Sequence, residues 1–150
     1  GTTDISAGQL IDRTGKRLGL AFPAGKAVDA LSREAAHRDS FRVKVHDASF
    51  SFSGLENKMN ALAQQGTSPA DICWFVLASI IQGVETATRQ ALEQYPGLPV
   101  LCAGGVASNQ LMRERMTQHC GAVFAEPRYS TDNAMGTAIL TWRAHHLERK

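Results

Sequence analysis

"LCAGGVASNQLMRER", residues 101–115, runs from a continuous apolar stretch through Gly104 and Gly105 into a helix-like segment, with Asn109 just past the bend. An apolar run after Pro99 has the character of a buried parallel strand, and a return through a helix at residues 106–118 to "GAVFAEP" predicts a second strand beside it. The bend allows two readings. Paired glycines admit close approach of a ligand to the backbone, and a helix N-terminus offers free N–H groups to an anion. Asn109 or Ser108 is equally suited to cap the helix. The stretch lacks the G-K-[ST] of a phosphate loop and the spaced third glycine of a dinucleotide fingerprint, so by itself it leaves both readings open.

Working outward, "SAGQLIDRTGKRLGL" puts Ala7, Leu10, Ile11, Thr14 and Leu18 at helical spacing, with Gly19 where a C-terminal glycine belongs and Asp12 off the stripe. "FPAGKAVDALSREAAHR" predicts a turn and then a second helix carrying Asp29 in its first turns, where the helix dipole favours a carboxylate. Alternation at Phe41, Val43 and Val45, then at Phe50 and Phe52, predicts two short strands. Ser53 and Glu56 have capping-box spacing for a helix that ends near Gly66. Ser51 and Ser53 read as a solvent-facing strand residue and a cap, since no G-x-S-x-G elbow surrounds them. Ser68, Pro69 and Asp71 then start a long helix to about Tyr95 that is apolar nearly all round and therefore buried. Thr131 or Asp132 caps a closing helix. The fold class is α/β: a mainly helical chain around a small, partly parallel sheet, residues 1–150 forming a single unit.

The 150 residues are 43% hydrophobic and 20% charged with a net charge of +2, the profile of a globular domain and too weakly basic to argue for nucleic acid. Cys73, Cys102 and Cys120 are odd in number and lack C-x-x-C spacing, which suits free thiols in a reducing cytosol. The apolar run "ICWFVLASII" is too short to span a bilayer and reads as buried helix. His37, His46, His119, His145 and His146 form no H-x-x-x-H or H-E-x-x-H pair, so the residues give no metal site of their own. The opening "GTTDIS" reads as a cut inside a longer protein.

Three segments taken together, "LIDRTGKRLGLAFPAG" at 10–25, "FSFSGL" at 50–55, and G-G-V-x-x-N at 104–109 followed by T-D-N-A at 131–134, occur in the order and spacing of one family. Over about residues 4–138 the chain resembles the C-terminal half of the universal tRNA threonylcarbamoyladenosine synthases, formerly classed as O-sialoglycoprotein endopeptidases or M22 metallopeptidases. The resemblance implies the two-lobed actin-like and heat-shock-ATPase-like fold (ASKHA, RNase H-like), with the N-terminal lobe absent here. It implies a transferase that modifies adenosine 37 of tRNA in the cytoplasm, using an ATP-derived adenylate and a divalent metal, iron or zinc, and no membrane. Carried over by motif, the nucleotide contacts are Asp12, Gly25, Asp29, Gly104, Gly105 and Asn109, and the metal ligand is Asp132; no catalytic residue is assigned. A homologous subunit or a homodimer is the implied protein partner.

The chain departs from the family pattern at Ala24, Ile5, Gln9, Glu56, Asn57 and Ser130. These departures keep a second expectation in view: a divergent, non-catalytic paralogue that binds nucleotide or a protein partner. The peptidase reading ranks last, for want of a water-activating pair. In either main reading the 150 residues alone are expected to be inactive and to hold no tightly bound cofactor.

Overall fold

The computed structural model describes residues 1–126 and 134–147. Its elements are helix α1 (Ala7–Arg17), α2 (Gly25–Ser32), strands β1 (Val45–His46) and β2 (Ser49–Phe50), α3 (Ser53–Gln64), α4 (Pro69–Gln94), β3 (Leu101–Cys102), a 3-10 turn (Val106–Ser108), α5 (Gln110–Cys120), β4 (Val123–Phe124) and α6 (Ala134–Leu147). The architecture is mostly helical with small strand pairs, the α/β class expected.

Helix α4 organises the rest. Ser68 accepts the Asp71 amide and Pro69 occupies the first turn, where its missing N–H costs nothing. Its 26 residues are long and apolar enough to cross a membrane by length and composition. Burial shows instead a core helix: α1, α2, α3 and α5 all pack on it, and Val76 and Ile80 are fully enclosed. Leu10, Val28, Phe52, Leu55, Met59 and Met116 complete the same core from the surrounding elements.

Several local expectations are corrected. The alternating stretch from Phe41 does not form a strand before Val45. It lies extended along α4, whose side chains take its donors: Phe41 N bonds Ser79 Oγ at 2.8 Å and Val43 N bonds Gln82 Oε1 at 2.9 Å. Val43 packs tightly on Gly83, where an added Cβ would meet its side chain at 3.1 Å. Only residues 45–46 and 49–50 pair, antiparallel, around Asp47 and Ala48, both at positive φ. Ala48 is unfavourable there, and its amide is held by Gln90 Oε1 at 2.9 Å.

The capping box also moves. It closes at Ser6 and Gln9 of α1, not at Ser53 and Glu56. Ser53 is the first residue of α3, and no side chain caps that helix. Its hydroxyl donates to Asp4 instead, as does that of Ser51, while Glu56 pairs with Arg13 at 3.0 Å. Ser51 is solvent-facing as expected, though outside the strand, and Ser53 is not the cap that was expected. Helix α2 stops at Ser32, short of the predicted run.

β3 and β4 pair in parallel as predicted, Leu101 opposite Val123 and Cys102 opposite Phe124. The pair is not buried as a continuous apolar run suggested, since Leu101 is 73% and Val123 62% exposed. Helix α5 begins after the 3-10 turn, at Gln110 rather than at 106.

Candidate functional site

The Gly-Gly turn, the start of α2 and the inner face of α1 converge on a cavity of about 660 Å³, within the size range of small-molecule sites. Asp12, Gly25, Asp29, Gly105 and Asn109 all line it, together with Gly8, Lys26, Val106 and Ser108. Residues from 8 to 109 are thus brought to one concavity. Gly104, at φ +104, precedes Gly105 in the turn and does not line it.

The two sides of the cavity are joined by specific bonds. Asp12 Oδ1 accepts the amide of Ala24 at 2.9 Å, fixing the start of α2 against α1. Gly15 permits that approach: a Cβ on it would fall 2.1 Å from the Cβ of Ala24. Just past the end of α2, Arg33 Nη2 reaches Gln110 Oε1 at 2.8 Å and ties α2 to α5. Gly25 opens on free space, and Ala24 caps α2 with no side-chain acceptor. The first N–H groups of that helix have no intrahelical acceptor either.

Asp29 is the least satisfied group. Its Oδ2 lies 3.5 Å from Arg33 Nη2 and 3.5 Å from the amide of Gln110. Its Oδ1 is enclosed and accepts nothing among the described residues. A buried acceptor without a donor is costly, on the order of 1–3 kcal/mol, and a turn of the carboxylate toward the cavity would let a hydroxyl-bearing ligand relieve it. Asn109 answers the question posed by its position. It is 8% exposed, and its Oδ1 accepts the Met112 amide at 2.9 Å, so it caps α5. Capping occupies only that oxygen, which leaves the Nδ2 donor for a second contact. Ser108, the alternative cap, does not serve as one; its hydroxyl donates to Gly105 O at 2.6 Å.

Arg113 supports the turn from behind. It donates to Ala107 O at 3.3 Å and Ala125 O at 2.6 Å and lies over the Phe124 ring at 4.9 Å, linking the Gly-Gly turn to the end of β4. Asp132, with Thr131 and Ser130, lies outside the described residues. Among the described residues no group of three His, Cys, Asp or Glu side chains is placed to hold a metal. Cys73 is buried and its thiol is pushed up to about 11 by burial, and burial also raises Cys102 and Cys120, so the free thiols are poor nucleophiles.

Sequence reasoning missed Lys26, Arg33, Arg113 and Asp4. Asp4 accepts from Ser51 Oγ at 2.5 Å, Ser53 Oγ, and the amides of Ile5, Phe52 and Ser53, so it clamps the N-terminal segment onto the F-S-F-S-G turn. Burial pushes its carboxyl up, but the two serine hydroxyls and the Phe52 and Ile5 amides outweigh this and hold it well below the usual carboxylate range. The short spacing S-x-S was the visible signal; the acceptor 47 residues away was not. A second cavity, about 540 Å³, is lined almost wholly by apolar groups, among them Phe50, Val84, Leu92 and Leu98, and gathers no polar set for chemistry.

Comparison with known proteins identifies the family of the sequence. A family model described as tRNA N6-adenosine threonylcarbamoyltransferase matches residues 1–139. A protein of that name from Enterococcus faecalis is 38% identical over 124 residues, covering 77% of this chain and 36% of the relative. One from Streptococcus pyogenes is 31% identical over 145 residues, covering 89% and 42%. One from Streptococcus suis is 36% identical over 124 residues, covering 77% and 37%. The chain therefore spans roughly two fifths of the length of these relatives. With the family model matched over nearly the whole chain, the chain belongs to the tRNA N6-adenosine threonylcarbamoyltransferase family.

Proposed function

We propose that residues 1–150 form one C-terminal portion of a two-lobed, actin-like transferase that passes a threonylcarbamoyl group to adenosine 37 of tRNA. In this reading the cavity holds the nucleotide. Asp29 and Asp12 accept from ribose hydroxyls, Gly25 and the Gly104-Gly105 turn admit the ligand close to the backbone, and Asn109 donates from Nδ2. The observation that carries the reading is the convergence of Asp12, Gly25 and Asp29 on one cavity with Asn109, eighty residues beyond Asp29 in sequence, beside an Asp29 carboxylate whose Oδ1 has no partner among the described residues. Asp132 is proposed as one ligand of an iron or zinc ion. Its remaining ligands are proposed to be supplied by the N-terminal lobe, and no group of three His, Cys, Asp or Glu side chains is gathered among the described residues. tRNA, a homologous subunit or a second copy, and a cytoplasmic setting complete the proposal.

Calorimetric titration of AMP and ATP into the full-length protein, with mass analysis of the nucleosides in its tRNA, tests this. Nucleotide binding lost in Asp29→Asn together with loss of the modified adenosine supports it; a wild-type protein that binds no nucleotide refutes it. The non-catalytic paralogue remains the second reading. Its support is that Gln9 and Glu56, which depart from the family pattern, have structural duties here, in the α1 capping box and in the pair with Arg13. Bound nucleotide without any modified tRNA selects that reading.

A further inference from the structure

Lys26 lines the same cavity as Asp12, Asp29 and Asn109 and is the one cation doing so among the described residues. It follows Gly25, at the open start of α2, and stands three positions before Asp29, so the two side chains share a helix face. A lysine so placed would ordinarily neutralise the neighbouring carboxylate. Here Asp29 is engaged by Arg33 from the next turn instead, at 3.5 Å. Asp12 is likewise occupied, by the Ala24 amide. The ammonium is exposed beside helix N–H groups that have no acceptor of their own.

We propose that Lys26 is a specificity-determining residue that contacts the phosphate of the bound nucleotide and so selects phosphorylated ligands over free nucleosides. The inference rests on the nucleotide reading of the cavity. Two carboxylates line the cavity and only Asp29 has a cation, Arg33, beside it, outside the lining, so a phosphate on a ligand held here would meet uncompensated negative charge unless a further cation stood within the cavity. Lys26 supplies that charge, and its flexible stem lets the ammonium follow the phosphate. Because the group is exposed, the contact is screened by salt.

The test compares adenosine with AMP on the full-length protein, wild type against Lys26→Met and Lys26→Arg. The expected result is an AMP dissociation constant raised about tenfold in Lys26→Met, adenosine affinity unchanged within about twofold, and most AMP affinity kept in Lys26→Arg. The AMP preference should also shrink with added salt in wild type only. Unchanged AMP affinity in Lys26→Met, or equal losses for adenosine and AMP, overturns the inference while leaving the nucleotide cavity in place. Failure of the wild-type protein to bind either ligand sinks both. Retained adenosine binding in the variant also shows that it is folded.

Discussion

Replacing Gly15 by alanine is expected to destabilise the protein and to weaken nucleotide binding without touching any residue that lines the cavity. The new Cβ would stand 2.1 Å from the Cβ of Ala24, where carbon atoms in contact prefer about 3.5–4.0 Å. Neither atom has a rotamer through which to escape, so α1 and the start of α2 must separate by more than an ångström. Overpacking of this kind costs about 1–3 kcal/mol, and the better helix propensity of alanine returns about 1 kcal/mol. With two rigid Cβ atoms in conflict the upper part of the range applies, for a net loss of about 1–2 kcal/mol. The same separation stretches the 2.9 Å bond from the Ala24 amide to Asp12 and shifts Gly25 and Asp29 relative to Asn109. Urea denaturation and AMP titration of the full-length protein measure both effects. Ala24→Gly removes the opposing methyl, so Gly15→Ala made in that background should be neutral or stabilising and should recover binding. If Gly15→Ala is as stable as wild type and binds AMP as tightly, α1 and the start of α2 do not make the close contact on which this reasoning depends.

The two duties of Asn109 separate by substitution. Asn109→Asp keeps the capping oxygen and stability while losing the Nδ2 donor and nucleotide affinity, whereas Asn109→Ala should lose about 1 kcal/mol of stability as well; equal binding by the aspartate variant and wild type would show that capping is its whole role. Glu85, whose side chain is 9% exposed, holds Arg89 at 2.8 Å, Arg115 at 3.1 Å and His119 at 3.1 Å. Its removal in Glu85→Gln should cost about 1–3 kcal/mol, below the figure for fully buried pairs because the cations are partly exposed and regain water. Burial pushes this carboxyl up, but the His119 hydrogen bond and the Arg115, His119 and Arg89 charges hold it low. Its stabilisation is therefore complete above the ordinary carboxylate range and lost as pH falls through the folded value, so Glu85→Gln should flatten stability against pH below about 4.5; an acid limb identical to wild type would count against the network. Asp4→Asn should likewise weaken the acid dependence and loosen the F-S-F-S-G turn, read as faster amide exchange at Phe52 and Ser53; unchanged exchange would mean that the clamp contributes nothing.

Much of the local structure was legible because its signals are local. A cap acts within one helical turn, so Ser68 before Pro69 and Asn109 before α5 could be read from spacing alone. The failures have a shared cause. The S-x-x-[EQ] pattern occurs at both Ser6 and Ser53, and only the first closes into a box, since Asp4 takes the Ser53 hydroxyl and Arg13 takes Glu56. Alternation at 41–45 satisfied the period of a strand, but the bonding partners turned out to be the side chains of α4, about forty positions later.

The sequence by itself determined the helices, the parallel order of β3 and β4, and the family, because hydrophobic period, caps and the G-G-V-x-x-N and F-S-F-S-G-L motifs are carried by neighbouring residues. Tertiary structure alone decided that Asp12, Gly25, Asp29 and Asn109 share a cavity, that Lys26 joins them, and that Asp29 keeps an unpaired oxygen there. Those facts depend on how α1, α2 and the Gly-Gly turn are stacked around α4. Stacking is set by close fits such as the Ala24 methyl against the bare Cα of Gly15, a contact between residues whose own spacing carries no periodic signal.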